Sequence, residues 1–273
     1  QWDMPLEDGY ALQLPALSVY RQMAMAMQLK IRLLITDGHM DQALEMLQPG
    51  LYMGKGIAQG PTVIQGLVGT AISALTLREV EGLMQAADAP NLYWALTALP
   101  TPLIDMYPSL EHEREVLFIE LPLLRSIETE SMSPAQASAA VARLVKNMQA
   151  LGARLDKGPF AELLPTGWVM MHYVAAKAHL ARRGFSQERI EAMPAAQAVL
   201  IYQKQEYFDM LDGMFKWFTV PYHQAQPQLQ ASEQAFDAHN ESKGIRANLF
   251  GFLLPALSRI AFLEARLDRH IAL

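Results

Sequence analysis

No cysteine occurs in these 273 residues. Disulfides, thiolate nucleophiles and cysteine-ligated zinc are therefore excluded outright. The compartment is not fixed by this, since cytosolic and exported bacterial proteins can both lack the residue. Aromatic residues make up only 8% of the chain, so the core must be built from leucine, alanine and methionine, a composition that favours helix. Charge is equally sparse, at 18%, with 22 basic against 28 acidic residues and a net charge of −6. No basic run stands out, so a phosphate-neutralising surface is not expected and nucleic acid is not the expected partner. The longest apolar runs, such as "VLFIELPLL" at 116–124, fall far short of the roughly 20 residues that a membrane helix needs. Nor does any stretch alternate cleanly, so strands are not expected. Gly-x-Ser-x-Gly is missing, and "MGKGIAQG" at 53–60 lacks the spacing and the following Ser or Thr of a phosphate-binding loop. No cofactor is implied.

What remains is a chain with 51% hydrophobic residues, long enough to bury roughly three quarters of its unfolded surface. It opens on Gln1 and ends inside the helical pattern "EARLDRHIAL". The expectation is a piece of a longer protein, with any targeting segment lost with the missing N-terminus. Residues 1–15, with Pro5, Gly9 and Pro15, read as an extended arm. From Leu17 to Thr36, Tyr20, Met23, Met27, Ile31 and Leu34 recur at helical spacing, and Met25, Leu29 and Leu33 add a second apolar face. A helix apolar on two sides is expected to be sandwiched between neighbours. Gly38 supplies a C-terminal stop and Asp41 an acid in the next first turn, so residues 17–50 read as a helical hairpin.

Further helices follow, punctuated by proline and glycine. One begins at Pro61, with Gly66 and Gly69 suited to close helix packing. A second runs through "SLEHEREVLFIELPLLRSI" with Pro122 bending it. A third opens on the capping box Ser133, Pro134, Gln136. Others are closed by Gly184, formed by "SQERIEAM" and started at Pro194. "VPYHQAQPQL" reads as a connector before the last helices.

Leu34, Gly38, Met40, Ala43 and Leu47 are spaced like the turn and second helix of a tetratricopeptide repeat, in which small residues let two helices approach and large ones fill the gap. The resemblance covers this one hairpin and does not recur at the family's period of about 34 residues. A second resemblance spans most of the chain. "LITDGHMDQALEMLQPGL", "AQGPTVIQGLVG", "APNLYWALTALPTPLID", "RRGFSQERIEAMP" and "EARLDRH" together resemble an uncharacterised bacterial family of large helical proteins. That family brings no activity, substrate or catalytic residues. Its members are often exported, which implies a cell-envelope location.

Three sets of residues can carry chemistry. In "APNLYWALTALPTPLID" at 89–105, Asn91 caps a short helix that Pro100 and Pro102 terminate. Leu92, Ala95, Leu96 and Leu99 give that helix a face to bury. Tyr93 and Trp94 either wedge the corner against flanking helices or form a partner-binding platform with Asp105 at its edge. "EHERE" at 111–115 with Glu120 offers carboxylates on shared helical faces, but not the Glu-x-x-His spacing of di-iron bundles. Glu111, Glu113 and Glu120 are the metal alternative, against a solvated helix face. His172 and His179 share a stripe with Trp168 and Ala175, two turns and about 10 Å apart. That is too far to share a metal without a bend, so they read as helix-interface histidines. Sixteen methionines suit either adaptable grooves or irregular helix gaps.

The expected fold is all-α, a single elongated domain over 1–273 of stacked antiparallel helical hairpins, tetratricopeptide-like, with a possible subdivision near 156–160. The expected function is a scaffold or interaction module that binds a protein or peptide, with Tyr93, Trp94, Asp105, His172 and His179 as binding residues. Two alternatives stand beside it. One is a helical enzyme or metal protein in which Glu111, Glu113, Glu120, His172 and His179 converge on a cavity. The other is a carrier of an apolar ligand.

Overall fold

The computed structural model describes residues 14–150, 164–243 and 257–272. Among them are eleven α-helices and no strand, so the all-α expectation holds, as helical hairpins packed against one another. The extended arm before Leu14 and the subdivision near 156–160 lie outside the described residues. Tertiary contacts fall into two compact units. The first comprises 1–116, 221–226 and 258–273, and the second 117–220 and 227–257.

In the first unit, α1 (Ala16–Thr36), α2 (Met40–Ala58) and α3 (Val63–Met84) pack pairwise. The short connections force neighbouring helices antiparallel. Gly38 makes the first of these turns with a left-handed φ of 77°, the conformation that residues with a Cβ resist. Leu34, Ala43 and Leu47 are buried beside it. The hairpin outruns its sequence-based limit, because α2 continues through Pro49 to Ala58.

α2 and α3 meet along small residues. A Cβ at Gly69 would stand 2.6 Å from the Ala58 Cβ, and one at Gly50 would stand 2.7 Å from the Thr76 Oγ1. The close packing expected of Gly69 is therefore present, while Gly66 makes room for Met106 instead. Helix α3 starts on a capping box that the Pro61 reading overlooked. Thr62 Oγ1 accepts the N–H of Gln65 at 3.2 Å, and Gln65 Oε1 accepts the N–H of Thr62 at 3.2 Å. By length and composition α3 could cross a bilayer, yet 61% of that stretch is buried in the fold. Its apolar surround matches a core helix.

One expectation for α1 fails. Its second apolar face, Met25, Leu29 and Leu33, is exposed, because α2 and α3 both cover the side that carries Ala24, Ile31 and Leu34.

A five-residue helix α4 (Tyr93–Thr97) and the longer α5 (Tyr107–Glu120) follow. α5 stops before Pro122 rather than bending. Leu121 takes an extended φ of −132°, and Pro122–Arg125 restarts as a short 3-10 turn, as the steric conflict before proline requires.

The second unit holds α6 (Pro134–Ala150), α7 (Leu164–Arg182), α8 (Gln187–Ala192) and α9 (Ala195–Phe215). The Ser133 capping box forms as read, with Ser133 N–H on Gln136 Oε1 at 2.9 Å and Gln136 N–H on Ser133 Oγ at 3.3 Å. α9 packs against both α6 and α7, and twelve of its residues, from Ala196 to Phe215, are buried. "VPYHQAQPQL" is helical rather than a connector. Only its first two residues precede α10 (Tyr222–Lys243), which accommodates Pro227 and buries Ala225 and Leu229. The chain closes with α11 (Leu257–Ala272), part of the first unit from Ser258.

Candidate binding surface

The corner between α3 and α5 is held from both ends. At its start Asn91 Oδ1 accepts the N–H of Tyr93 at 2.9 Å, so Asn91 does serve the first turn of α4. Leu92 beside it is buried. Past the prolines, Leu103 and Ile104 are buried. The N–H of Leu103 is taken by Asp268 Oδ1 at 2.9 Å, and that of Met106 by Glu264 Oε1 at 3.4 Å. Asp105 Oδ1 accepts the N–H of Tyr107 at 2.9 Å and so caps α5.

Burial pushes the Glu264 carboxyl up to about 7. Asp105 and Asp268 add to the rise, and the Met106 N–H opposes it. Burial also raises Asp268, against its bond to the Leu103 N–H. Glu264 and Asp268 stand one helical turn apart on one face of α11. That spacing was visible in "EARLDRH", but nothing local in the sequence tied it to a loop over 150 residues away.

Between these anchors α4 buries none of its own residues. Tyr93 is 60% and Trp94 78% exposed, and the rings meet edge to face at 5.0 Å. The wedge expected of them is absent, and the buried side chain at this corner is Leu92. Leu96 and Leu99 are half-buried and Ala95 is exposed, so the expected buried face of α4 is incomplete.

Two open hollows flank the helix. One, of about 820 Å³, is lined by Met84, Pro90, Leu92, Leu96, Leu99 and Ile271 among others. A second, of about 490 Å³, includes Leu44, Leu51, Tyr52 and Val80 and shares Leu92, Leu96 and Leu99 with the first. Those three leucines form the wall between the hollows, with the two aromatic rings displayed beside it.

The other candidates lie elsewhere. In the second unit, His172 is 4% exposed and lies 5.1 Å from Trp168, ring to ring. His179 meets Tyr202 edge to face at 5.1 Å and pairs with Gln205 Oε1 at 3.0 Å. His172 stands 6.3 Å from the same Tyr202 ring, so both histidines serve the α7–α9 interface through one tyrosine. The Tyr202 hydroxyl donates to Glu206 at 2.6 Å, and burial followed by that carboxylate raises its pKa. Trp168 Nε1 is buried with no hydrogen-bond partner among the described residues.

Glu111 and Glu113 are half-buried on α5, and burial raises the pKa of Glu113. The side chain of Glu120 lies outside the described residues. Among the described residues no three His, Asp or Glu side chains are grouped to hold a metal ion.

Comparison with protein families, curated proteins and solved structures returns no match.

Proposed function

We propose that this protein is an interaction module whose α4 ridge binds a protein segment presenting leucine or aromatic side chains. The observation that carries this reading is the 78% exposure of Trp94 beside an exposed Tyr93, on a helix held at both ends between two apolar hollows. Large rigid aromatics cost solvation when displayed, and tyrosine and tryptophan dominate the energetics of protein interfaces. A protein segment can place one side chain in each hollow while the rings cover its backbone. The tetratricopeptide-like hairpin and a setting in a bacterial cell envelope belong to the same reading, and both rest on sequence resemblance.

The test is selection of peptides from a random displayed library on the parent protein, with binding re-measured on Trp94→Ala and Tyr93→Ala. Enriched apolar peptides should lose roughly tenfold or more in affinity on either variant, the scale of an interface hot spot. Peptides that bind the double variant as tightly as the parent would overturn the reading.

A further inference from the structure

A third hollow, of about 320 Å³, opens in the first unit among α1, α3 and α11. Its apolar lining comes from Met25, Leu67, Ile72, Leu75, Leu263 and Leu267, and three guanidinium groups, Arg21, Arg78 and Arg266, also line it. Among the described residues no carboxylate does. Arg32 is fixed on Glu79, Arg183 on Asp209, and Lys204 on Glu128, but Arg21, Arg78 and Arg266 form no ion pair with a described residue. His270 lines the hollow as well, with Nε2 2.6 Å from Glu81 Oε1.

Three arginines from three helices surround one apolar hollow, each without an ion-pair partner among the described residues, in a chain of net charge −6. We propose that this hollow binds a small amphipathic anion, an apolar chain ending in a single carboxylate. Guanidinium forks match a carboxylate with two parallel hydrogen bonds. The leucines and Met25 offer the apolar contact that a bare inorganic anion would waste. At roughly 30 Å³ for a group the size of water, the hollow admits about ten non-hydrogen atoms, the size of octanoate.

The experiment is titration calorimetry on the full chain with octanoate, octanol and acetate, each in parallel on Arg78→Gln, Arg266→Gln and Leu75→Trp. The arginines are exposed, so their variants should keep the parent circular dichroism. Saturable one-to-one binding of octanoate is expected, weakened about tenfold or more by either arginine substitution, on the scale of one charge-assisted hydrogen bond. Leu75→Trp should abolish it by filling the hollow. Octanol binding as well as octanoate would overturn the role of the arginines. Acetate binding as well would overturn that of the apolar wall, and no saturable octanoate binding would overturn the site itself.

Discussion

Arg32 Nε donates to both carboxylate oxygens of Glu79, at 3.0 Å each, and the guanidinium Nη2 stands 2.9 Å from Oε1. Gln28 adds a further bond to Oε1 at 2.8 Å. Glu79 itself is 3% exposed, so the core of the first unit contains a carboxylate whose partners among the described residues, Arg32 and Gln28, both come from α1. Removing the guanidinium leaves that charge buried with one neutral donor. Arg32→Met should lower stability, because the Glu79 carboxylate that it pairs with is buried while the guanidinium itself is exposed and screened by solvent. Urea unfolding measures it, and Arg32→Met with Glu79→Leu together should regain most of the loss.

Stability should also fall as pH rises from 5 to 8. Glu264 has a folded pKa of about 7 against an ordinary 4.5, so the folded state holds a proton that the unfolded chain releases. The stabilisation linked to that proton is fully present below pH 4.5 and lost as pH rises through about 7, on the order of 3 kcal/mol at most. Asp268, also raised, acts in the same sense. His112, lowered chiefly by burial, opposes them by losing stability as pH falls through its ordinary 6.5. Thermal melts of Glu264→Gln against the parent isolate the effect. The parent should gain on the variant toward acid, and parallel curves would contradict the assignment.

Glycines on one helix pair should respond in opposite ways. Gly69→Ala drives a methyl into Ala58, at 2.6 Å from its Cβ and 2.7 Å from its backbone nitrogen. Overpacking of that kind costs about 1–3 kcal/mol. Nothing lies within 4 Å of a Cβ at Gly56, on the exposed side of α2, where alanine should add about 0.5–1 kcal/mol through helix propensity. Chemical denaturation of the two variants side by side checks both signs.

In the second unit, Gln197 holds the 127–132 loop. Its amide donates to Ile127 O at 2.9 Å and Glu130 O at 2.6 Å, while its Oε1 accepts the N–H of Met132 at 3.1 Å. Gln197→Leu keeps the volume and strips three backbone groups of their partner. A loss of about 3 kcal/mol is expected, read from the thermal midpoint, with faster amide exchange at Met132.

Trp94→Ala and Tyr93→Ala should each change stability by less than about 0.5 kcal/mol, as befits exposed positions. A cost of several kcal/mol in either would mean that the rings support the fold after all.

Helix identity was legible because the cues are local. Ser133 with Gln136, Gly38, Gly184 and Pro194 each mark an element end through chemistry within a few residues. Pro227 misled for the same reason, since a local rule cannot register the burial of Ala225 and Leu229 that keeps the helix intact. The exposed face of α1 and the display of Tyr93 and Trp94 were illegible on other grounds. An apolar residue reads alike whether a neighbour covers it or none does. The carboxylates beneath the corner and the three arginines of the hollow among α1, α3 and α11 belong to helices far apart in the chain, so no spacing rule could assemble them.

Because α4 buries nothing and its neighbours Leu92, Leu103 and Ile104 do the anchoring, positions 93–97 are nearly uncoupled from folding. Selection can rewrite those five residues without trading against thermodynamic tolerance. Paralogues could thus diverge in what they recognise while keeping one chassis, and the same stretch is the natural cassette for grafting a new specificity.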